Sequence, residues 1–201
     1  LTRTYRVTDD CGNQTDVSQK IYVDDTIPPV VDPMDDITGV QCVGDIPAPN
    51  TGLVNATDNC DENLDIIWVS DSGLSDACGG FLTRIYRVTD DCGNATEVSQ
   101  KIYVDDTIPP VVDPLGDITG VQCVGDIPAP NTGLVNATDN CDENLDIIWL
   151  SDGQLSDACG GFLTRIYRVT DDCGNQTDVS QKIYVDDTIP PVVDPLDDIT
   201  G

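Results

Sequence analysis

Nine cysteines stand at fixed spacing in this chain: Cys11, then Cys42, Cys60, Cys78 and Cys92, then Cys123, Cys141, Cys159 and Cys173. Corresponding members are 81 residues apart, as with Cys42 and Cys123 or Cys11, Cys92 and Cys173. Thiols in such number and order either oxidise to disulfides or hold zinc. The sequence has no histidine and no CxxC pair, which disfavours zinc. The expectation is therefore disulfides, formed in an oxidising compartment. Oxygen donors crowd around two of these cysteines. Asp58, Asn59, Asp61, Glu62 and Asn63 flank Cys60, and Asp90, Asp91 and Asn94 flank Cys92. Calcium takes six to eight oxygens from carboxylates, amides and carbonyls, and this is a ready supply. The same residue types are also ordinary turn formers that water solvates, and both readings stay open here.

The elements that must position these groups follow from a repeat. Tyr-Val-Asp-Asp-Thr-Ile-Pro-Pro-Val-Val-Asp-Pro occurs at Tyr22–Pro33, Tyr103–Pro114 and Tyr184–Pro195. A period of this length sets the architecture before any local reading. It divides the chain into the C-terminal strands of a truncated repeat (1–25), two full repeats (26–106 and 107–187) and the N-terminal segment of a further one (188–201). The expectation is thus a window on a longer array. The two full repeats differ at only seven positions, among them Met34/Leu115, Val69/Leu150 and Ala95/Gln176. Such near-identity favours a role that needs length over one that needs distinct sites.

Within the repeat 26–106, strands are expected at Pro29–Val31 and, after the interruption at Asp32-Pro33, at Ile37–Val43. Others are expected at Gly52–Thr57, Ile66–Val69, Phe81–Thr89 and Thr96–Val104. Tyr86 and Val88 share one face at period two, as do Val98, Ile102 and Val104. No window keeps a helical period, so the fold class is all-β: tandem immunoglobulin-like β-sandwiches arranged head to tail. Trp68 and Trp149 read as core residues, with an exposed sugar-stacking platform as the alternative. Arg84, Arg87 and Lys101 read as members of surface ion pairs. The net charge of −28 repels nucleic acid and anionic membranes.

The motifs Ala56-Thr57-Asp58-Asn59, Tyr86-Arg87-Val88-Thr89-Asp90-Asp91-Cys92-Gly93-Asn94 and Asp106-Thr107-Ile108-Pro109-Pro110 resemble those of hyalin-repeat (HYR) domains. The cysteine-bearing form is similar to repeats of giant Bacteroidota cell-surface adhesins, including those of gliding motility. This resemblance implies an extracellular, cell-surface setting. It does not supply a disulfide pattern, because here all four cysteines fall in loops or at strand ends. A sandwich topology does. Cys42 and Cys78 lie at one end of the repeat and Cys60 and Cys92 at the other, so the expected bridges are Cys42–Cys78, Cys60–Cys92, Cys123–Cys159 and Cys141–Cys173.

The same topology brings the end of one repeat to the acidic loops of the next. The candidate calcium ligands at the central joint are Asp105, Asp106, Asp139, Asn140, Asp142, Asp171 and Asp172. Their equivalents one repeat earlier are Asp24, Asp25, Asp58, Asn59, Asp61, Asp90 and Asp91. Thr26, Thr107 and Thr188 lie in Asp-Thr-Ile, an O-glycosylation acceptor pattern of Bacteroidota.

Nothing in the sequence argues for an enzyme, since there is no histidine, no nucleophile–base pair and no phosphate-binding glycine loop. The leading expectation is an extracellular structural array, the stalk or filament of a large adhesin. Its partners would be the adjacent repeats of the same chain, with neither nucleic acid nor direct membrane insertion involved. The alternatives are repeats that bind surface glycans or proteins by avidity, and lateral assembly into a sheath.

Overall fold

The computed structural model describes residues 1–157 and 159–195. Residues 196–201, the end of the segment expected to begin a further repeat, lie outside the described residues, as does Ala158. Among the described residues all regular structure is strand, apart from four single-turn 3₁₀ segments.

A hairpin of β1 (Thr2–Thr8) and β2 (Gln14–Lys20) opens the chain. The first repeat follows with β3 (Val30–Val31), β4 (Ile37–Val40), β5 (Ala56–Thr57), β6 (Asp65–Asp71), β7 (Cys78–Thr89) and β8 (Ala95–Asp105). The second has β9 (Val111–Val112), β10 (Ile118–Val121), β11 (Ala137–Thr138), β12 (Asp146–Asp152), β13 (Cys159–Thr170) and β14 (Gln176–Asp186). Each repeat is a sandwich of unequal layers. Four strands in the order β4-β8-β7-β6, or β10-β14-β13-β12, make one layer, and a two-stranded ribbon, β3-β5 or β11-β9, makes the other. β10 runs parallel to β14, while β12, β13 and β14 pair antiparallel.

The chain divides into two compact units whose borders do not follow the repeats. One comprises 1–38, 47–75 and 81–103, and the other 39–46, 76–80 and 104–201. The segments 39–46 and 76–80 carry Cys42 and Cys78, and what holds them in the second unit is described below.

Alternation builds both cores. In the first unit Val54, Tyr86 and Val88 are buried, with Val31, Met34, Leu64, Ile66 and Val98 packed around them. In the second, Val135, Tyr167 and Val169 form one cluster and Val121, Leu163, Ile183 and Val185 another. Each fully buried side chain of this size contributes roughly 1.5–3 kcal/mol. Repeats this small bury a modest core, so covalent staples carry unusual weight.

Three local expectations are corrected. The strand expected over Gly52–Thr57 is reduced to β5, because Asn50 draws the chain into a 3₁₀ turn at Thr51–Leu53. Its Oδ1 accepts the Gly52 N–H at 3.0 Å, the local side-chain bond that competes with a ladder. The strand expected over Ile37–Val43 ends at Val40, one residue after Gly39 takes φ +79°. Trp68 and Trp149 are not core residues: each is 47% exposed on an edge strand, beside a register shift, with its indole N–H donating to Asp71 or Asp152.

Arg84 reverses in the opposite sense. It is 2% exposed, forks onto both carboxylate oxygens of Asp71 at 2.9 and 2.7 Å, and donates to the Pro47 carbonyl at 2.8 Å. Arg165 repeats this on Asp152 and Pro128. Arg87 is the surface pair that was expected, on Glu97. Lys101 instead lies 4.7 Å over the Phe81 ring, a cation–π contact.

The Arg84 fork holds the Asp71 carboxyl below the usual carboxylate range, and Arg165 does the same for Asp152. A depressed carboxylate contributes stability that is present above its unfolded value, about 3.9, and lost as pH falls through the lower folded value. Wild type should therefore lose urea resistance below about pH 4, and Asp71→Asn should lose less over that range. At pH 7, Arg84→Met should cost about 3 kcal/mol by stranding its partner. Urea midpoints at pH 7 and pH 3 check both, and equal pH dependence in wild type and variant would contradict the assignment.

Candidate functional site: a disulfide-closed acidic joint

The second unit contains the boundary between the repeats. Cys42 is bonded to Cys141 and Cys78 to Cys173, each pair with Cα atoms 5.2 Å apart, an ordinary disulfide separation. These two bonds hold the segments 39–46 and 76–80 in that unit. Cys11, Cys60, Cys92, Cys123 and Cys159 are free and exposed.

The expected bridges Cys42–Cys78 and Cys141–Cys173 are therefore replaced by bridges between repeats, and Cys60–Cys92 and Cys123–Cys159 are not formed. The physical reason is specific. Cys42 and Cys78 do lie at one end of a repeat, as the topology required, and Cys141 and Cys173 at the facing end of the next. All four line one hollow with Asp106 and Asp142. Cysteines at the same end are neighbours there, and each bonds across the hollow. Parity gives no warning, since four cysteines per repeat close equally well either way.

Local geometry presents each cysteine. Cys42 caps the 3₁₀ turn Val43–Asp45, and its carbonyl accepts the Asp45 N–H at 3.0 Å. Cys78 sits in the turn Asp76–Gly80, where its N–H donates to Asp76 Oδ1 at 2.9 Å. Gly80 is required at that turn, because a Cβ there would overlap the Asp76 backbone. Asn140 lies beside the Cys42–Cys141 disulfide, its amide nitrogen 2.8 Å from Cys141 Sγ and 3.3 Å from Cys42 Sγ.

Beside the sulfurs, Asp106, Asp139, Asp142 and Asp171 bring one carboxylate oxygen each within 4.8 Å of one another. Asp106 and Asp171 are 4% and 6% exposed. Most of the oxygens are engaged. Asp106 Oδ1 accepts from the Ile108 N–H at 3.1 Å, Asp139 Oδ1 from the Cys141 N–H at 2.9 Å, and Asp142 Oδ2 from the Asp172 N–H at 2.8 Å. Asp171 accepts from the Asn175 N–H at Oδ1 and from the Asn175 side-chain amide at Oδ2, and that amide also donates to the Asp106 carbonyl. Asp106 Oδ2 and Asp139 Oδ2 are buried with no hydrogen-bond partner. Two unit charges 4.8 Å apart repel by roughly 3–4 kcal/mol at an effective dielectric near 20, so something must oppose this crowding. Buried carboxylate oxygens without donors are what a hard, oxygen-seeking cation would use.

Of the seven residues expected as ligands here, the structure gathers Asp106, Asp139, Asp142 and Asp171. Asp105 lies apart, beside Gly79. Asp172 enters through its backbone N–H, and Asn140 turns its amide nitrogen, a donor, to Asp106 Oδ1 at 3.3 Å.

In the first unit the equivalent gathering is Asp25, Asp58 and Asp90, with Asp58 Oδ2 unpartnered; Asp24, Asn59, Asp61 and Asp91 are not in it. Burial pushes the Asp90 carboxyl up, but hydrogen bonds from Asn94, Cys92 and Gly93 outweigh this and hold it below the usual range. Burial, then the Asp25 carboxylate, push the Cys60 thiol up. The Thr107 and Thr188 hydroxyls donate to Gln41 and Gln122 at 3.3 and 3.0 Å, and Thr26 is exposed.

A family described as "HYR-like domain with 4 cysteines" matches residues 30–104 and again 111–185. The chain belongs to this family. Its HYR-like repeats thus carry the four cysteines of the description, two at each end. No curated protein matches the sequence. Among solved structures it is similar to a protocadherin gammaB7 EC3-6 cis-dimer structure at 12% identity and a TM-score of 0.37, over 91% of this chain and 57% of that one. It is also similar to the extracellular cadherin domains 3-6 of protocadherin gamma B2, at 13% identity and a TM-score of 0.38, over 90% and 59%. The chain thus spans less than two thirds of either structure.

The bonds across the HYR-like joint escaped the sequence reading, although one signal was available. The link Asp106–Pro110 is short and stiffened by two prolines, so loops of successive repeats have little room to stay apart.

Proposed function

We propose that this chain is part of an extracellular array in which HYR-like repeats are welded to one another, serving as the load-bearing stalk or filament of a large cell-surface adhesin of the kind used in attachment or gliding. The observation that carries the reading is the pair of disulfides between consecutive repeats. A repeat meant only to fold would spend its cysteines within itself. One that bonds to its neighbour transmits tension across the joint through covalent bonds. In the chain-entropy picture, loops of 99 and 95 residues also contribute roughly 4–5 kcal/mol each when taken singly.

The covalent path predicts a length. While Cys42–Cys141 is intact, the 99 residue steps that separate them along the chain are bypassed by a pulling force. At 3.3–3.6 Å per residue, about 330–360 Å of contour should stay hidden when the oxidised chain is stretched between its ends. Single-molecule stretching with and without reductant reads this directly, and equal contour lengths would overturn the load-bearing reading.

Calcium is the cation we assign to Asp106, Asp139, Asp142 and Asp171, and to Asp25, Asp58 and Asp90. The support is the donor set: carboxylates only, with buried oxygens that no protein donor satisfies. Bound calcium would neutralise the repulsion that the disulfides otherwise contain. A ligand at 100 times its Kd stabilises by about 2.7 kcal/mol. Thermal melts should rise by several degrees on adding calcium to wild type and by less for Asp106→Asn, which keeps only the Asp25, Asp58 and Asp90 set. In chelator that variant should melt no lower than wild type, because it has lost a repelling charge. An unchanged wild-type midpoint would refute the calcium site.

The half-exposed Trp68 and Trp149 favour a second reading, in which the repeats bind surface glycans by stacking sugars on indole. A glycan array probed with the chain, read against Trp68→Ala/Trp149→Ala, decides it. Binding lost in the variant supports this reading, and no binding by wild type removes it.

A further inference from the structure

The free cysteines other than Cys11 form two sets of two, each at the repeat positions of two cysteines that are bonded across the joint. Cys60 and Cys92 correspond to Cys141 and Cys173, and Cys123 and Cys159 to Cys42 and Cys78. Comparing bonded and free members shows how little the bond alters. Cys42, bonded, has φ −109° and ψ 150°, and Cys123, free, has φ −123° and ψ 152°. Both cap the same 3₁₀ turn, and both carbonyls accept an N–H at 3.0 Å, from Asp45 and Asp126. Cys78 and Cys159 donate their N–H to Asp76 and Asp157 at 2.9 and 2.8 Å. The glycine that the tight turn requires recurs, since a Cβ on Gly161 would overlap the Asp157 backbone as one on Gly80 would overlap Asp76.

The other face matches equally well. Cys60 and Cys141 donate their N–H to Asp58 and Asp139 at 2.9 Å. Asn59 sets its amide nitrogen 2.8 Å from Cys60 Sγ, the same distance that Asn140 keeps from Cys141 Sγ. Asp25, Cys60, Asp90 and Cys92 line a hollow, as Asp106, Cys141 and Cys173 line the central one, where Cys42 and Cys78 supply the opposite wall.

We infer that Cys123 with Cys159, and Cys60 with Cys92, are preformed half-joints, each shaped to take the complementary face of a further HYR-like repeat through two disulfides. Binding geometry held before the partner arrives lowers the ordering cost of docking. Partner choice is set by position. A Cys123-type sulfur bonds the Cys141-type cysteine of the following repeat, and a Cys159-type sulfur bonds the Cys173-type. The bond-forming step needs an oxidant, here a small-molecule or protein disulfide. One protein thiolate attacks it and releases one thiol, and the second protein thiolate then displaces the other. Each new protein disulfide thus yields two reduced thiols of the oxidant. The inference rests on the joint geometry and holds whether the array serves adhesion, glycan binding or neither.

The test lengthens the full chain by a copy of residues 121–187 placed after Gly201, which continues the repeat in phase. Both chains are equilibrated in glutathione and glutathione disulfide, alkylated, digested and analysed by mass spectrometry. In the original chain Cys123 and Cys159 should be alkylated. In the lengthened chain both should be protected, and linked peptides should join Cys123 to the added copy of Cys141 and Cys159 to the added copy of Cys173. Cys123→Ser/Cys159→Ser in the lengthened chain should leave those two added cysteines alkylated. The inference fails if Cys123 and Cys159 stay reactive, if they bond to each other, or if the added cysteines pair among themselves. A control in the original chain guards against misfolding of the added repeat. Cys42→Ser/Cys78→Ser should make Cys141 and Cys173 as reactive as Cys60 and Cys92, and protection of Cys141 and Cys173 there would equally overturn the inference.

Discussion

Two disulfides and four carboxylates occupy the same boundary, and each constrains the other. The carboxylates of Asp106, Asp139, Asp142 and Asp171 repel at short range, and two of their oxygens are buried without donors. Left to electrostatics alone, the loops that carry them would separate. Cys42–Cys141 and Cys78–Cys173 prevent that by covalent means. The bonds thereby hold the larger of the two acidic gatherings closed across the joint, whereas the smaller one, Asp25, Asp58 and Asp90, stands beside free cysteines. The larger site is where the proposed calcium would act on the joint itself.

This arrangement explains features that look unrelated along the chain. The segments 39–46 and 76–80 belong to the compact unit of the following repeat because their cysteines are bonded there. Their turns are built tightly, with Gly80 allowed no side chain and Cys42 held at the head of a 3₁₀ turn. The repeat cores can stay small because they are not the only source of cohesion. Arg84 and Arg165, nearly fully buried, fasten β6 and β12 to the polar backbone at Pro47 and Pro128. They do at mid-repeat, with ions and hydrogen bonds, what the disulfides do at the boundary.

Much of this was legible in the sequence. The 81-residue period set the repeat count, and alternation in Tyr86, Val88, Ile102 and Val104 marked the buried faces of the long strands. The end of the repeat at which each cysteine lies also followed from strand order. What stayed hidden depends on interactions that no local pattern encodes. Asn50 competes with the strand ladder through a single hydrogen bond. Trp68 pairs in register with the buried Tyr86 yet stays half-exposed on its edge strand, and Arg84 is buried only because Asp71 and Pro47 converge on it. The disulfide partners were misread because cysteines at one end of a repeat are neighbours there, while bonding distance is reached by residues of the next repeat.

The central claim is that covalent bonds join successive repeats, and disulfide connectivity tests it most directly. Free thiols of the unreduced chain are blocked, the chain is digested without reductant, and linked peptides are sequenced by mass spectrometry. The account predicts peptides joining Cys42 to Cys141 and Cys78 to Cys173, with Cys60, Cys92, Cys123 and Cys159 all blocked. A peptide joining Cys42 to Cys78, or Cys141 to Cys173, would contradict it.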